Sequence, residues 1–311
     1  MEEIIVTEKH VFPPKPTFES MNYNSVVPSL VSLILFIVAF YYFFDSDIEF
    51  TLVLVAAVFI HESGHLLAMK FFNYTDLKMF FIPLLGAFVS GNKTEISQNQ
   101  RAVILLAGPV PGIIIGLVLF FIAMQTNNDS LYRASMIFLF LNVFNLLPIS
   151  PLDGGNLVST LFMNKSTTLQ TIFLIVSIIA LIFIAFRLET YIFLIVPFFL
   201  LLSLRNRIKT KAVQKDLEAE NISYSKNFDE LTDEEYWRIR EKVIADHPVF
   251  KTIDGKIYEP DMREKQIAGL IKSVLGSKIL LDLTGTGKFI YTIVWLIFLL
   301  GPAAVYMFLY E

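Results

Sequence analysis

The chain has 311 residues, 55% of them apolar and only 17% charged, against about a quarter charged in an average globular domain. That balance excludes a water-soluble enzyme, and the absence of cysteine excludes a disulfide-stapled secreted scaffold. A net charge of −4 and a sequence pI near 5.7 give no footing for a nucleic-acid partner.

In chain order, residues 1–25 are polar, begin with Glu2 and Glu3 and contain Pro13-Pro14-Lys15-Pro16. They lack the basic start and short apolar block of a secretion signal, so the expectation is an extended arm. Seven apolar stretches follow, at 26–44, 50–69, 102–123, 131–149, 168–186, 190–204 and 289–310. Most approach the ~20 residues with which a helix crosses a hydrocarbon core of about 30 Å. Residues 206–287 hold 29 of the 54 charged side chains, 14 basic and 15 acidic. Within them Thr232-Asp233-Glu234-Glu235 has the form of a capping box, which predicts a helix over 233–246. Asp254-Gly255 predicts a hairpin over 250–258, and Asp261 a helix ending near Gly276.

The expected architecture is an all-α polytopic membrane protein of about six to seven transmembrane helices, with a small membrane-associated β-hairpin and a small α+β soluble domain. Its parts are an N-terminal cytoplasmic arm (1–25), a six-span core (26–204), a cytoplasmic soluble domain (205–287) and a C-terminal transmembrane helix (288–311). Orientation follows from basic residues, which favour the cytoplasmic side. Arg205, Arg207, Lys209 and Lys211 directly follow the sixth apolar stretch. Counting back, the loops with Lys70, Lys78, Lys93 and Arg101, and with Lys165, fall on the same side, and those with Asp47 and Asp129 on the other.

The second stretch carries three ionisable side chains together, His61-Glu62-Ser63-Gly64-His65. Each is expensive at membrane depth, so the cluster is a functional candidate. On a helix, positions i and i+4 share a face one turn apart, so both imidazoles can reach one metal ion. Glu62 lies where it can take a proton from a water on that metal. Two histidines leave a catalytic zinc one protein ligand short. His10 and His247 lie in polar segments, whereas Asp153 follows Asn142-Val143-Phe144-Asn145-Leu146-Leu147-Pro148-Ile149-Ser150-Pro151-Leu152 at the end of the fourth stretch. There the prolines stop the helix and Gly154-Gly155 are expected to turn the backbone sharply. Gly108, Gly112 and Gly116 recur every four residues, the spacing of close helix packing.

HESGH in one span with N-x-x-P-x-x-P-L-D-G-G ending a later one resembles the site-2 protease family of intramembrane zinc metalloproteases, in its compact branch without a PDZ insert. Leu85-Gly86-Ala87-Phe88-Val89-Ser90-Gly91 sits where that family has its membrane-associated hairpin, and Ala107-Gly108-Pro109 where it has its Ala-Gly-Pro. The resemblance covers residues 50–160. It implies one Zn²⁺ per chain held by His61, His65 and Asp153, with Glu62 as general base. It also implies that Asn142 and Asn145 contact substrate or an oxyanion, and that Gly86, Ala87, Phe88 and Val89 bind substrate along a strand edge. The implied reaction is hydrolysis of peptide bonds in transmembrane or membrane-proximal segments of protein substrates among membrane lipids. The basic residues set the expectation that the active site and 205–287 face the cytoplasm, and the compact, cysteine-free core that the membrane is a prokaryotic cell membrane. Two rival readings are a membrane metal or proton transporter or scaffold built on the histidine pair, and a CAAX-type metalloprotease with Glu95 as third ligand. The sequence carries no signal for oligomeric state or for what 205–287 senses.

Overall fold

The structure is a computed structural model describing residues 12–18, 26–43, 47–82, 86–93, 95–163, 166–187, 189–247, 250, 258–276 and 278–310. Contacts divide the chain into two units, Tyr23–Leu204 with Ile279–Glu311, and Met1–Asn22 with Arg205–Lys278. The elements in order are α1 (Val26–Phe43), α2 (Ile48–Phe71), β1 (Thr75–Ile82), β2 (Gly86–Asn92), β3 (Glu95–Ser97), α3 (Gln98–Ala107), α4 (Pro109–Thr126), α5 (Asp129–Asn145), α6 (Asp153–Val158), α7 (Thr167–Arg187), α8 (Ile195–Ala219), α9 (Asp233–Asp246), α10 (Glu264–Val274), β4 (Lys278–Leu280) and α11 (Gly285–Tyr310). The division between units falls inside α8, where its apolar first part gives way to Arg205, Arg207 and Lys209.

Each apolar stretch is helical over most of its described residues, but four helical segments among the described residues are long and apolar enough to cross a bilayer: 48–71, 98–126, 168–187 and 285–309. The first stretch is a shorter apolar helix, and α5 has 17 residues. The sixth opens with a 3₁₀ turn at Tyr191–Leu194 before α8 begins. Phe140, Phe183 and Ile297 each leave 60% or more of their surface uncovered. In water such faces would aggregate; in hydrocarbon they are solvated.

Helix ends follow local chemistry. Asp47 accepts from the Glu49 amide at 3.2 Å to open α2, and Lys70 lies in its last turn. Ser97 accepts from the Gln100 amide to open α3, and Asn128 from the Leu131 amide to open α5. The stretch 102–123 is not one straight helix. It breaks at Gly108, because Pro109 and Pro111 can sit in the first turn of a new helix but not inside an old one.

β1 and β2 pair antiparallel, with Lys78 opposite Ser90, Phe80 opposite Phe88 and Ile82 opposite Gly86. Gly86 has φ +100°, a backbone that a side chain would strain. Helix α1 holds the hairpin: Ser29 Oγ donates to the Met79 carbonyl at 2.6 Å, the Phe81 amide donates to Ser32 Oγ at 3.2 Å, and Phe36 packs edge-on to Phe81. No strand pairs with the other edge of β2 among the described residues.

The second unit is built on Val213, Leu217, Trp237, Ile239, Val243, Ile267 and Ile271. α9 covers 233–246 with the Thr232–Glu235 capping box formed in both directions. α10 begins at Glu264; Asp261 precedes it and accepts from the Arg263 amide at 2.8 Å. Buried Arg240 makes a two-pronged contact with Glu264, both at 2.8 Å, and Tyr236 donates to the same carboxylate. Burial alone would raise the Glu264 pKa, but these donors and the Asp261 amide hold it below the usual carboxylate range. The hairpin expected around Asp254-Gly255 lies outside the described residues.

Candidate metal centre

His61 and His65 lie on one face of α2, buried, with His61 about ten residues and ~15 Å from its C-terminal end at Phe71. Gly64 between them touches α3 backbone to backbone: a Cβ there would overlap the Ala107 carbonyl. A Cβ on Gly108 would overlap the His65 ring, and one on Gly112 the Asn142 amide. The four-residue glycine spacing thus lets α4 approach α2 and α5 at the two places where site residues sit.

Each imidazole is oriented through its Nδ1. His61 Nδ1 lies 2.8 Å from Asn142 Oδ1, and His65 Nδ1 lies 2.8 Å from the Ile104 carbonyl. Asn142 is oriented in turn, since its Nδ2 donates to the Phe138 carbonyl at 2.8 Å, which leaves Oδ1 as the face toward His61. Both partners are acceptors, so each Nδ1 carries the proton and each Nε2 presents a lone pair.

Asp153 does not end the fourth apolar helix. α5 stops at Asn145, and Asp153 is the first residue of the short helix α6. Gly154 and Gly155 have helical backbone rather than a sharp turn. Their role is close approach, because Cβ atoms there would run into the Leu146 and Ile149 carbonyls. The intervening loop is pinned from two sides: Trp295 of α11 donates to the Leu146 carbonyl at 2.8 Å, and the Ser150 amide donates to Ser177 Oγ of α7 at 3.0 Å.

So placed, Asp153 Oδ2 lies 3.1 Å from His61 Nε2 and 3.2 Å from His65 Nε2, and the two Nε2 atoms are 3.1 Å apart. A tetrahedral zinc with bonds of about 2.0–2.1 Å has ligand atoms about 3.3 Å apart, within about 0.2 Å of this triangle. With both Nδ1 protons committed elsewhere, three lone pairs converge with no proton of their own between them. That donor set fits a cation.

The three ligand atoms open on a cavity of about 460 Å³ that also takes in Glu62, Asn145 and the β2 residues Gly86, Ala87, Phe88 and Val89. Of the residues read from the sequence, His61, Glu62, His65, Asp153, Asn145 and the 86–89 strip share this space. Asn142 does not: it is fully buried behind His61, with both ends of its amide engaged by His61 and the Phe138 carbonyl. Glu95 lies exposed on β3, outside the His61–His65–Asp153 group. Sequence reasoning missed the Ile104 carbonyl, which as backbone leaves no residue signature. It also passed over Gly108 as a seat for His65, for which the four-residue glycine repeat was the available signal.

Residues 49–134 match the model for peptidase family M50. A zinc metalloprotease of Methanocaldococcus jannaschii is 30% identical over 119 residues, 37% of this chain and 34% of that protein. Stage IV sporulation protein FB of Bacillus subtilis is 29% identical over 118 residues, 36% of this chain and 39% of that one. The matched stretch therefore spans little more than a third of these relatives. The solved site-2 protease of Methanocaldococcus jannaschii is similar at 25% identity with a TM-score of 0.43, over 56% of this chain and 87% of that one. Zinc is the metal this kinship implies for the three-ligand group. Residues 49–134, with the histidine pair they carry, are therefore similar to peptidase family M50 and to zinc metalloproteases that share this stretch.

Proposed function

We propose that this chain is an intramembrane zinc endopeptidase that hydrolyses peptide bonds in transmembrane or membrane-proximal segments of other proteins. His61, His65 and Asp153 would hold the zinc, which supplies Lewis acidity for activating water and polarising a carbonyl. Glu62 takes the proton of the attacking water and returns it to the amine that leaves. Asn142 and Ile104 keep each imidazole in the tautomer that presents Nε2.

The observation that carries the reading is the meeting of three features on one cavity: the ligand triangle, the Glu62 carboxylate and strand β2, whose other edge no strand pairs with among the described residues. A peptide in a membrane helix has its carbonyls occupied by its own hydrogen bonds. It must open before water can attack, and the edge of β2 offers an opened segment backbone partners by β-augmentation. A second, apolar cavity of about 720 Å³ between α2, α5 and α11 also has Asn145 in its wall, which offers an apolar segment a path to the ligand triangle. Placement on the cytoplasmic side rests on Arg205, Arg207, Lys209 and Lys211.

The test is Glu62→Gln in purified protein. Cleavage of single-span substrates should fall by at least ~10²-fold, the scale of general-base catalysis, with zinc content unchanged. Full cleavage by that variant would remove Glu62 from the role. A transporter built on the same histidines would instead move metal or protons and cut nothing.

A further inference from the structure

Residues 12–18 do not dangle. In the unit formed by Met1–Asn22 and Arg205–Lys278, Phe12, Pro13, Lys15, Pro16 and Phe18 are half-buried while Pro14 and Thr17 are exposed. Exposure at every third residue is the period of a polyproline II strand laid along a surface. The surface holds it by its backbone and by one cation. Trp237 Nε1 donates to the Pro13 carbonyl at 2.7 Å, and the Lys15 amide donates to Asp233 Oδ1 at 2.8 Å. The Lys15 ammonium donates to three carbonyls, Phe228 at 3.1 Å, Asp229 at 3.1 Å and Leu231 at 2.9 Å, and lies 5.5 Å from the centre of the Phe228 ring. Phe12 stacks edge-on with Tyr258, and Phe18 lies against Phe228. An indole donor, an aromatic wall and a carbonyl cage for one ammonium are the parts of a reader of extended Pro-x-Lys peptides.

We propose that the surface around Trp237, Phe228 and Asp233 is a peptide-recognition site for an extended, proline-rich segment with one central lysine, and that the chain's own residues 12–18 occupy it reversibly as a strap. This binding does not rest on the peptidase reading.

The experiment uses the full-length chain in detergent, with a specific-protease sequence placed between Phe18 and Tyr23. After cutting, fragment 1–18 should stay with the protein through gel filtration, and excess synthetic peptide of residues 12–18 should displace it. Lys15→Ala should speed release at least ~10-fold, while the uncut Lys15→Ala chain, in a Trp295→Phe background that leaves Trp237 as the one indole, keeps the emission of a folded unit. A wild-type fragment lost as fast as the Lys15→Ala fragment would overturn the recognition site. A fragment that no excess of peptide displaces would make it a fixed part of the core and overturn the reversible strap. None of these readouts involves zinc or peptide cleavage, so the peptidase reading stands or falls separately.

Discussion

Asn142→Leu separates two roles for one side chain. Leucine keeps the volume that packs on Gly112 but removes the acceptor of the His61 Nδ1 proton, at a site where Asn142 has no exposed surface. A buried donor stripped of its partner costs about 1–3 kcal/mol. The second bond lost, Nδ2 to the Phe138 carbonyl, runs to a group already inside α5, so its loss adds little. Freed from Asn142, His61 can turn or carry its proton on Nε2, and both changes act against metal binding. At 1.36 kcal/mol per decade the expected loss in zinc affinity is ~10–100-fold, the usual range for the outer partner of a metal-bound histidine. Asn142→Asp retains an acceptor and should bind zinc at least as tightly as the wild type. The assay is competition for zinc against a chromogenic chelator in detergent, alongside cleavage kinetics at saturating zinc. If Asn142→Leu binds zinc like the wild type and loses only turnover, the amide acts on the substrate and the positioning argument is wrong.

The unit that contains Arg205–Lys278 should be acid-sensitive through Glu264. Its folded pKa is depressed, so its contribution is complete above the unfolded value of about 4.5 and is lost as pH falls through the folded value. With Trp295→Phe leaving Trp237 as the one indole, a shift of its emission should begin below about pH 4.5 and flatten in Glu264→Gln; an identical acid profile in that variant would remove Glu264 as the cause. Arg240→Met with Glu264 retained leaves a buried carboxylate unpaired, and should destabilise the unit by ~3–5 kcal/mol at neutral pH, read as a lower midpoint in the same emission. Topology is open to cysteine labelling, because the natural chain has no cysteine. Residues 12–18 and 228–237 touch, so the chain between them crosses the bilayer an even number of times. Among the described residues, three helical segments in that range are long and apolar enough to cross, an odd number, so at least one shorter helix is expected to cross as well. Six crossings would label Thr17→Cys and Asp229→Cys from one face, and Asn127→Cys and Glu189→Cys from the other. Labelling of Thr17→Cys and Asp229→Cys from opposite faces would contradict the count.

The parts of the site that read directly from sequence are those whose geometry is local. His61 and His65 meet because the helical period puts them on one face, and the capping box at Thr232 works within four residues. Asp153 is legible as a carboxylate after a proline-broken segment, but its reach to the histidines depends on Trp295 and Ser177 pinning the loop from helices far along the chain. Asn142 is visible as a polar residue in an apolar helix. Its task is not, because the proton it accepts belongs to a residue 81 positions away. The Ile104 carbonyl belongs to every residue type and so leaves no trace. The same holds for the strap: Pro13-Pro14-Lys15-Pro16 reads as extended, yet nothing in its pattern points to the carbonyls of Phe228, Asp229 and Leu231. Apolar length identifies membrane helices well, and it passes over the break at Gly108 because glycine and proline are common in such helices.

The measurement closest to the heart of the account is the zinc content of purified, chelator-washed protein, for the wild type beside Asp153→Ala, His61→Ala and Glu95→Ala. One zinc per chain is expected in the wild type and in Glu95→Ala, with near-complete loss when Asp153 or His61 is removed. A full complement of zinc in Asp153→Ala would contradict the three-ligand centre on which the proposed chemistry depends.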